Sequence, residues 1–338
     1  MPTLAVTRSV PDTLWFTRCP VPTATGIAAD RHWLADEFAA DGIAVRSLQD
    51  AAPDVDRQTH YTHALPGLFR EGGNVPALWA RSRGERTRLI GLTWIEERQA
   101  ILVAPHSTVR GADALRGLRL AVPRHRIAID FWRAMALRGF EGALASAALT
   151  LDDARLTDVS ADGYTGQWAA ELAALQRGDV DAVYVKGALA VEAARRAGAH
   201  VAVELDELPD PVHRVNNGTP RPITVHQHLL DEHPHLVDRF LAVLLRAADW
   251  AVDHPDDVAR ILGAETGAGA EGVAGAYRPG THRTLHPDLS TARLDLLALQ
   301  ERGLRAHGLL PGPVDVHQWA DPEPLRRARL LHPAPEAV

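Results

Sequence analysis

Cysteine is almost absent from this sequence. The 338 residues contain one, Cys19, so no disulfide can form within the chain, and the composition fits a reducing compartment. No stretch approaches the roughly 20 apolar residues needed to cross a bilayer. The start, MPTLAVTRSVPDTLWF, has no basic segment followed by a long apolar one, so a cytoplasmic protein without a signal peptide is expected. A positive excess is missing as well: 36 Lys and Arg face 43 Asp and Glu, for a net charge of -7. That balance argues against nucleic acid and anionic membrane as partners. There is no G-x-S-x-G elbow and no P-loop. The G-x-G-x-x-G match at Gly267–Gly272 follows a helical segment instead of a strand, which fits a helix–helix turn and not a dinucleotide. His226, His228, His233 and His235 lie close in sequence, but no carboxylate or cysteine spacing accompanies them, so no metal is expected.

What is present is an α/β pattern. Hydrophobic residues make up 46% and charged residues 23%, a globular balance. DTLWFTR, IAVRSLQ, TRLIGLTWIE and QAILVAP read as strands, and IAADRHWLADEFAADG as one helix stopped by Gly42. HALPGLFREGG suits a short helix ending at Gly72-Gly73. Later, LRLAV, VDAVYV, VAVELDEL and PITVHQHLL read as strands, and PHLVDRFLAVLLRAADWAVDHPDDVARILGAET as two helices joined at Asp253-His254-Pro255. This alternation predicts mixed, mainly parallel sheets with flanking helices. The chain changes side near Pro105 and again near Pro209–Pro222. The expected organisation is therefore two-lobed, a Venus flytrap: 1–104 with 215–338 as the first lobe, and 105–214 as the second lobe closing the cleft.

A lone cysteine is most often a small buried hydrophobe. Here three features favour chemistry. Cys19 stands at the carboxyl end of the first strand, where open α/β sheets bind ligands. Pro20 and Pro22 stiffen the backbone after it. A second segment, THYTHALPGLFREGGNVPAL, offers His60, Arg70 and Gly72-Gly73 together. A histidine or cation can activate a thiol, a guanidinium can grip an anionic oxygen pair, and adjacent glycines let backbone N–H groups approach a ligand. His63 is a second candidate for the histidine role. Trp15 and Trp94 are placed on strands beside the cleft, and GYTGQW (Gly163–Trp168) as a possible second wall.

ADALRGLRLAV, LQRGDVDAVYV and AADWAVDHPDDVARIL resemble the periplasmic-binding-protein type 2 superfamily. TRCPVP, THYTHALPGLFREGGNVPAL, ERTRLIGLT and VDVHQWADPEPL resemble, nearly end to end, its aromatic sulfinate desulfinases, which use the binding-protein fold for catalysis. The resemblance implies a hydrolase that cleaves a carbon–sulfur bond without a cofactor and releases sulfite. It places the catalytic cysteine on Cys19, the active-site histidine on His60, the sulfinate-binding arginine on Arg70 and the glycine pair on Gly72 and Gly73. Three positions depart from the family: Thr17 replaces serine, Leu65 replaces glutamine, and Phe140 falls where a wall tryptophan is expected. With Trp15, these complete the expected substrate-binding set. The implied partner is a small anionic organic molecule, sulfinate-like, and the implied state is a monomer. Two other readings stand beside this one: a non-catalytic solute-binding protein for a sulfonate-like anion, and a desulfinase-like enzyme recruited to other cysteine-dependent chemistry in a biosynthetic pathway.

Overall fold

A computed structural model of the chain describes residues 10–18, 21–51, 58–160 and 167–332. Among the described residues, ten strands form two five-stranded sheets. The first contains β1 (Thr13–Phe16), β2 (Ala44–Ser47), β3 (Leu68–Glu71), β4 (Thr87–Thr93) and β10 (Arg221–His226), in the order β2-β1-β3-β10-β4. The second contains β5 (Gln99–Val103), β6 (Arg119–Arg124), β7 (Arg155–Ser160), β8 (Ala182–Lys186) and β9 (His200–Glu204), in the order β7-β6-β8-β5-β9. In each sheet one strand runs against its neighbours. β10 is antiparallel to β3 and β4, and β5 is antiparallel to β8 and β9. The remaining pairings are parallel.

Strands β4 and β5 are apolar because both faces are covered. Ile101, Leu102 and Val103 of β5 are buried, as are Leu89, Ile90 and Leu92 of β4, the continuous runs expected of sheets packed by helices on both sides. The helix Pro234–Val252 lies against the first sheet, with Phe240 stacked on Phe69 of β3 at 3.8 Å between ring centroids. The helix Phe131–Ser146 covers the second sheet. Two of its glycines are fixed by close contact: a Cβ on Gly139 would lie 2.1 Å from the Tyr184 ring, and one on Gly142 would lie 2.1 Å from the His213 carbonyl oxygen. Among the described residues, no helix is long and apolar enough to cross a membrane.

Three expectations change. β5 pairs with β8 and β9, so the chain passes to the second sheet at 94–98, before the expected boundary at 104. The return runs through 205–220. The helix expected over Ile27–Gly42 is two, Ala24–Asp30 and Trp33–Ala39, because His32 adopts a left-handed backbone with φ of 60°. The segment read as a helix at His63–Gly73 holds a turn and a strand instead. A short helix, Thr59–Thr62, ends at His63, and Pro66-Gly67 then lead into β3 between β1 and β10. All four β3 side chains are buried. An arginine in the centre of a sheet has to find internal partners, and that requirement shapes the site.

Candidate active site

A cavity of about 250 Å³ lies between the two sheets. The first lobe contributes His60, Tyr61, Gly73, Pro76 and Arg221, and the second contributes Phe131, Trp132, Met135, Trp168 and Lys186. Glu97, on the first crossover, and Asn217 and Gly218, on the second, close the sides.

Cys19 and Pro20 lie outside the described residues. The flanking chain leaves β1 at Phe16, and Val21 lines the cavity. Arg18 is held on the other side by Ser47, Asp50 and Glu265.

His60 lines the cavity from the last turn of the short Thr59–Thr62 helix. Its ring meets Tyr61 edge-on at 5.1 Å. Its Nδ1 is buried and has no hydrogen-bond partner among the described residues. His63 is turned away. The helix stops there, its φ is 59°, and its Nε2 shares a hydrogen bond of 2.6 Å with Thr224 Oγ1 in the sheet interior. The two histidines therefore do not share a face, and only His60 reaches the cavity. Burial holds both imidazoles well below their usual value, and the Arg70 charge adds to it. His60 is neutral at neutral pH and can accept a hydrogen bond through Nδ1, but it cannot act there as a cation.

Arg70 is fully buried in β3. It donates Nε–H to the His60 carbonyl at 2.8 Å and Nη2–H to the Gly73 carbonyl at 3.0 Å. Its guanidinium lies where a Cβ on Gly72 would come within 3.0 Å. The residues lining the cavity include His60 and Gly73 but not Arg70 or Gly72. In this geometry Arg70 fixes the two cavity-lining residues through their carbonyls and adds a positive charge behind them. Gly72 makes room for that charge, and its own N–H donates to the Pro222 carbonyl at 3.3 Å.

The remaining expected substrate contacts lie elsewhere. Thr17 is fully buried and donates its hydroxyl to the Glu71 carbonyl at 2.7 Å. The Leu65 amide donates to Thr59 Oγ1, and its side chain does not line the cavity. Trp15 is half-buried on β1, opposite Leu68 and Arg46, and Trp94 donates Nε1–H to Glu96. Neither lines the cavity. Phe140 is wholly buried in the core under the second sheet. It follows Phe131 by nine residues, about 900° along a helix at roughly 100° per residue, so it faces the opposite side. The aromatic wall is built instead by Phe131 and Trp132, the first two residues of the helix after its Asp130 cap. Tyr61 stacks on Phe131 at 6.1 Å, and Trp168 meets Trp132 edge-on at 5.8 Å. Gln167 and Trp168, the described end of GYTGQW, line the cavity beside them.

Reading the sequence missed a group of charges. Lys186 Nζ lies 2.5 Å from Glu97 Oε1, and Arg221 Nη2 lies 3.7 Å from the same oxygen. All three are buried and line the cavity. One signal was available in the composition: Lys186 is the only lysine in the chain.

The neutral histidines have a consequence for stability. The unfolded chain protonates its histidines near pH 6.5, whereas folded His60 and His63 resist. As pH falls below about 6.5 the unfolded state therefore binds more protons, and stability is lost at about 1.4 kcal/mol per pH unit for each such histidine. Denaturant midpoints measured from pH 7.5 to 5.5 should fall, and His63→Gln should flatten the slope. A wild-type profile no steeper than that of His63→Gln would show that burial does not hold His63 neutral.

The NMT1/THI5-like family description matches residues 135–258. The 2'-hydroxybiphenyl-2-sulfinate desulfinases of Rhodococcus erythropolis and Rhodococcus qingshengii are each 29% identical over 366 aligned positions, covering 96% of this chain and 95% of theirs. Among solved structures, a cysteine-to-serine mutant of DszB in complex with biphenyl-2-sulfinic acid is 26% identical, with a TM-score of 0.76 over 96% of this chain and 100% of that one. The periplasmic aliphatic sulphonate-binding protein SsuA from Escherichia coli shares the fold at 16% identity, with a TM-score of 0.69 over 92% of each chain. The chain thus has the type 2 periplasmic-binding-protein fold and resembles the 2'-hydroxybiphenyl-2-sulfinate desulfinases over almost its whole length.

Proposed function

We propose that this protein cleaves the carbon–sulfur bond of an aromatic sulfinate and releases sulfite, with Cys19 as the reacting side chain. The observation that carries the reading is the joint placement of His60 and Gly73 on one wall of an aromatic-lined cavity, both tethered by a buried arginine, in a chain that resembles desulfinases end to end. Phe131, Trp132 and Tyr61 offer faces on which an aryl ring can stack. The Arg70 charge behind His60 and Gly73 favours an anionic group at that end.

Two routes balance, and neither needs an oxidant. In the first, the Cys19 thiol protonates the ring carbon that bears sulfur. The C–S pair returns to the ring, SO2 departs, and water converts it to bisulfite while the released proton restores the thiol. In the second, the thiolate attacks sulfur, the aryl carbon leaves with the C–S pair and takes a proton, and water hydrolyses the Cys–S–SO2 adduct to thiol and bisulfite. A neutral His60 fits the first route more simply, because it can accept a hydrogen bond from the thiol and orient it without forming an ion pair. Closure of the lobes would exclude bulk water during cleavage.

A sulfite-release assay over aryl and alkyl sulfinates tests the reading. The expected result is catalytic sulfite formation from at least one aryl sulfinate, with the desulfinated arene in equal amount. The shared fold with sulfonate-binding proteins favours one other reading, a solute-binding protein. Tight sulfinate or sulfonate binding without turnover would select it.

A further inference from the structure

Three side-chain amides beside the cavity wall have no solvent contact. Asn74, Asn216 and Gln300 are each 0% exposed. They come from the helix Asn74–Ser82 that follows Gly73, from the second crossover and from the helix Thr291–Ala306. A buried amide is costly unless its donors and its acceptor are met, and these three are joined in series. Asn216 donates Nδ2–H to the Met135 carbonyl at 3.1 Å, on the helix Phe131–Ser146. The Asn216 carbonyl accepts from Asn74 Nδ2–H at 2.7 Å. Asn74 Oδ1 accepts from Gln300 Nε2–H at 3.1 Å, and Gln300 Oε1 accepts from Arg138 Nε–H at 3.1 Å. The circuit thus starts and ends on the helix of the aromatic wall, at Met135 and Arg138, which are neighbours on one helical face.

Each amide has one workable orientation. Asn74 Nδ2 faces two carbonyls, that of Asn216 and that of Pro220 at 2.8 Å. Asn216 Oδ1 takes the Asn217 N–H at 2.7 Å, and Gln300 Oε1 faces a guanidinium. Partners that can only accept or only donate fix the side chains. A branch runs from Asn216 Nδ2 to the Tyr184 hydroxyl at 3.0 Å, which donates to Gln99 Oε1 at 2.8 Å. Both walls of the cavity are attached to this circuit. Met135 lines the cavity one turn after Phe131, Gly73 precedes Asn74, and Asn217 follows Asn216. Asn217 Oδ1 in turn accepts the Val75 N–H at 2.9 Å. Packing takes the same route, since Val75, Leu78, Ala134, Leu297 and Leu304 share one apolar cluster.

Resting on the desulfinase reading, we propose that Asn74, Asn216 and Gln300 are positioning residues that set the spacing between the aryl-binding wall and the sulfinate end of the cavity. None of the three lines the cavity, so they act through Met135, Gly73 and Asn217. A substrate that joins a ring to a sulfinate gains from both walls only when their separation matches its own. A misplacement of about 1 Å costs up to roughly a hundredfold in rate.

The test compares the wild type with Gln300→Met, which keeps the side-chain length and removes both links. Sulfite-release kinetics are measured with biphenyl-2-sulfinate, and calorimetric binding with biphenyl-2-sulfonate, methanesulfinate and biphenyl. In Gln300→Met, kcat/KM and the affinity for the sulfonate should each fall roughly ten- to a hundredfold. Methanesulfinate, which meets only the anion end, and biphenyl, which meets only the aromatic wall, should bind as they do to the wild type. Tyr184→Phe loosens Asn216 from the other side and should act in the same direction by roughly three- to tenfold, the effect of one neutral hydrogen bond. That variant keeps the proposal exposed to refutation where Gln300→Met does not fold. Parallel losses for the sulfonate and both fragments would overturn the proposal, because the amides would then serve the fold alone. Unchanged kcat/KM and sulfonate binding in a folded variant would overturn it as well, and either result leaves the desulfinase reading standing. If the wild type yields no sulfite but the variants lose affinity for the sulfonate and not for its fragments, the positioning role stands and the cleavage reading falls.

Discussion

Cys19→Ser should reduce sulfite release by at least on the order of a thousandfold while leaving the melting transition in place. A hydroxyl is a far weaker acid and nucleophile than a thiol near neutral pH, and a positioned acid or base alone contributes about 10²–10⁴-fold. Both proposed routes pass through the cysteine, so the loss does not depend on which one operates. The sequence contains no second cysteine, so a thiol reagent should add one equivalent per chain. A bound sulfinate should slow that labelling, as should a non-reacting sulfonate of the same shape. Mass spectrometry measures the labelling and an intact-protein assay the activity. A serine variant with near-normal turnover would exclude both routes at once.

Arg70→Lys should cost both stability and turnover. Arginine here joins β3 to the carbonyls of His60 and Gly73. Lysine keeps the charge but cannot hold both carbonyls in the same fork geometry. Losing one such charge-assisted bond costs about 1.5–3 kcal/mol, a large part of the roughly 5–15 kcal/mol that holds a domain folded. Because the tether positions His60 and Gly73, kcat/KM should fall roughly ten- to a hundredfold, and inhibition by the neutral arene product should weaken in parallel. Melting, sulfite release and product inhibition measured on one preparation decide the matter. If substrate capture falls while product inhibition and melting stay unchanged, Arg70 touches the sulfinate and is not acting through its neighbours.

Much of the architecture is visible in the order of short apolar segments. Strands such as Leu89–Leu92 and Ile101–Val103 are buried on both faces, so their composition announces them. Which sheet a strand joins is not written in its pattern. β5 reads as a sequel to β4, yet its partners are β8 and β9, and only long-range pairing decides which lobe it joins. Arg70 is misleading for a related reason. A charge beside Gly72-Gly73 looks like a helix end, but two backbone carbonyls satisfy it in the middle of a sheet. Phe140 shows the limit of matching one residue at a time. Nine residues along a helix reverse its direction, and the wall is supplied by Phe131 and Trp132 from the other face. The Glu97–Lys186–Arg221 group is dispersed along the chain, and no local spacing reveals it. Only the solitary lysine hinted at it.

The most direct test of the account is product analysis in deuterated water. The purified protein is incubated with biphenyl-2-sulfinate, and arene and sulfite are quantified together. The account predicts one sulfite per arene, with a single deuterium on the carbon that carried sulfur, because both routes deliver a solvent-exchangeable proton there. Recovery of intact sulfinate from a protein that binds it would contradict the account, and so would arene released without sulfite.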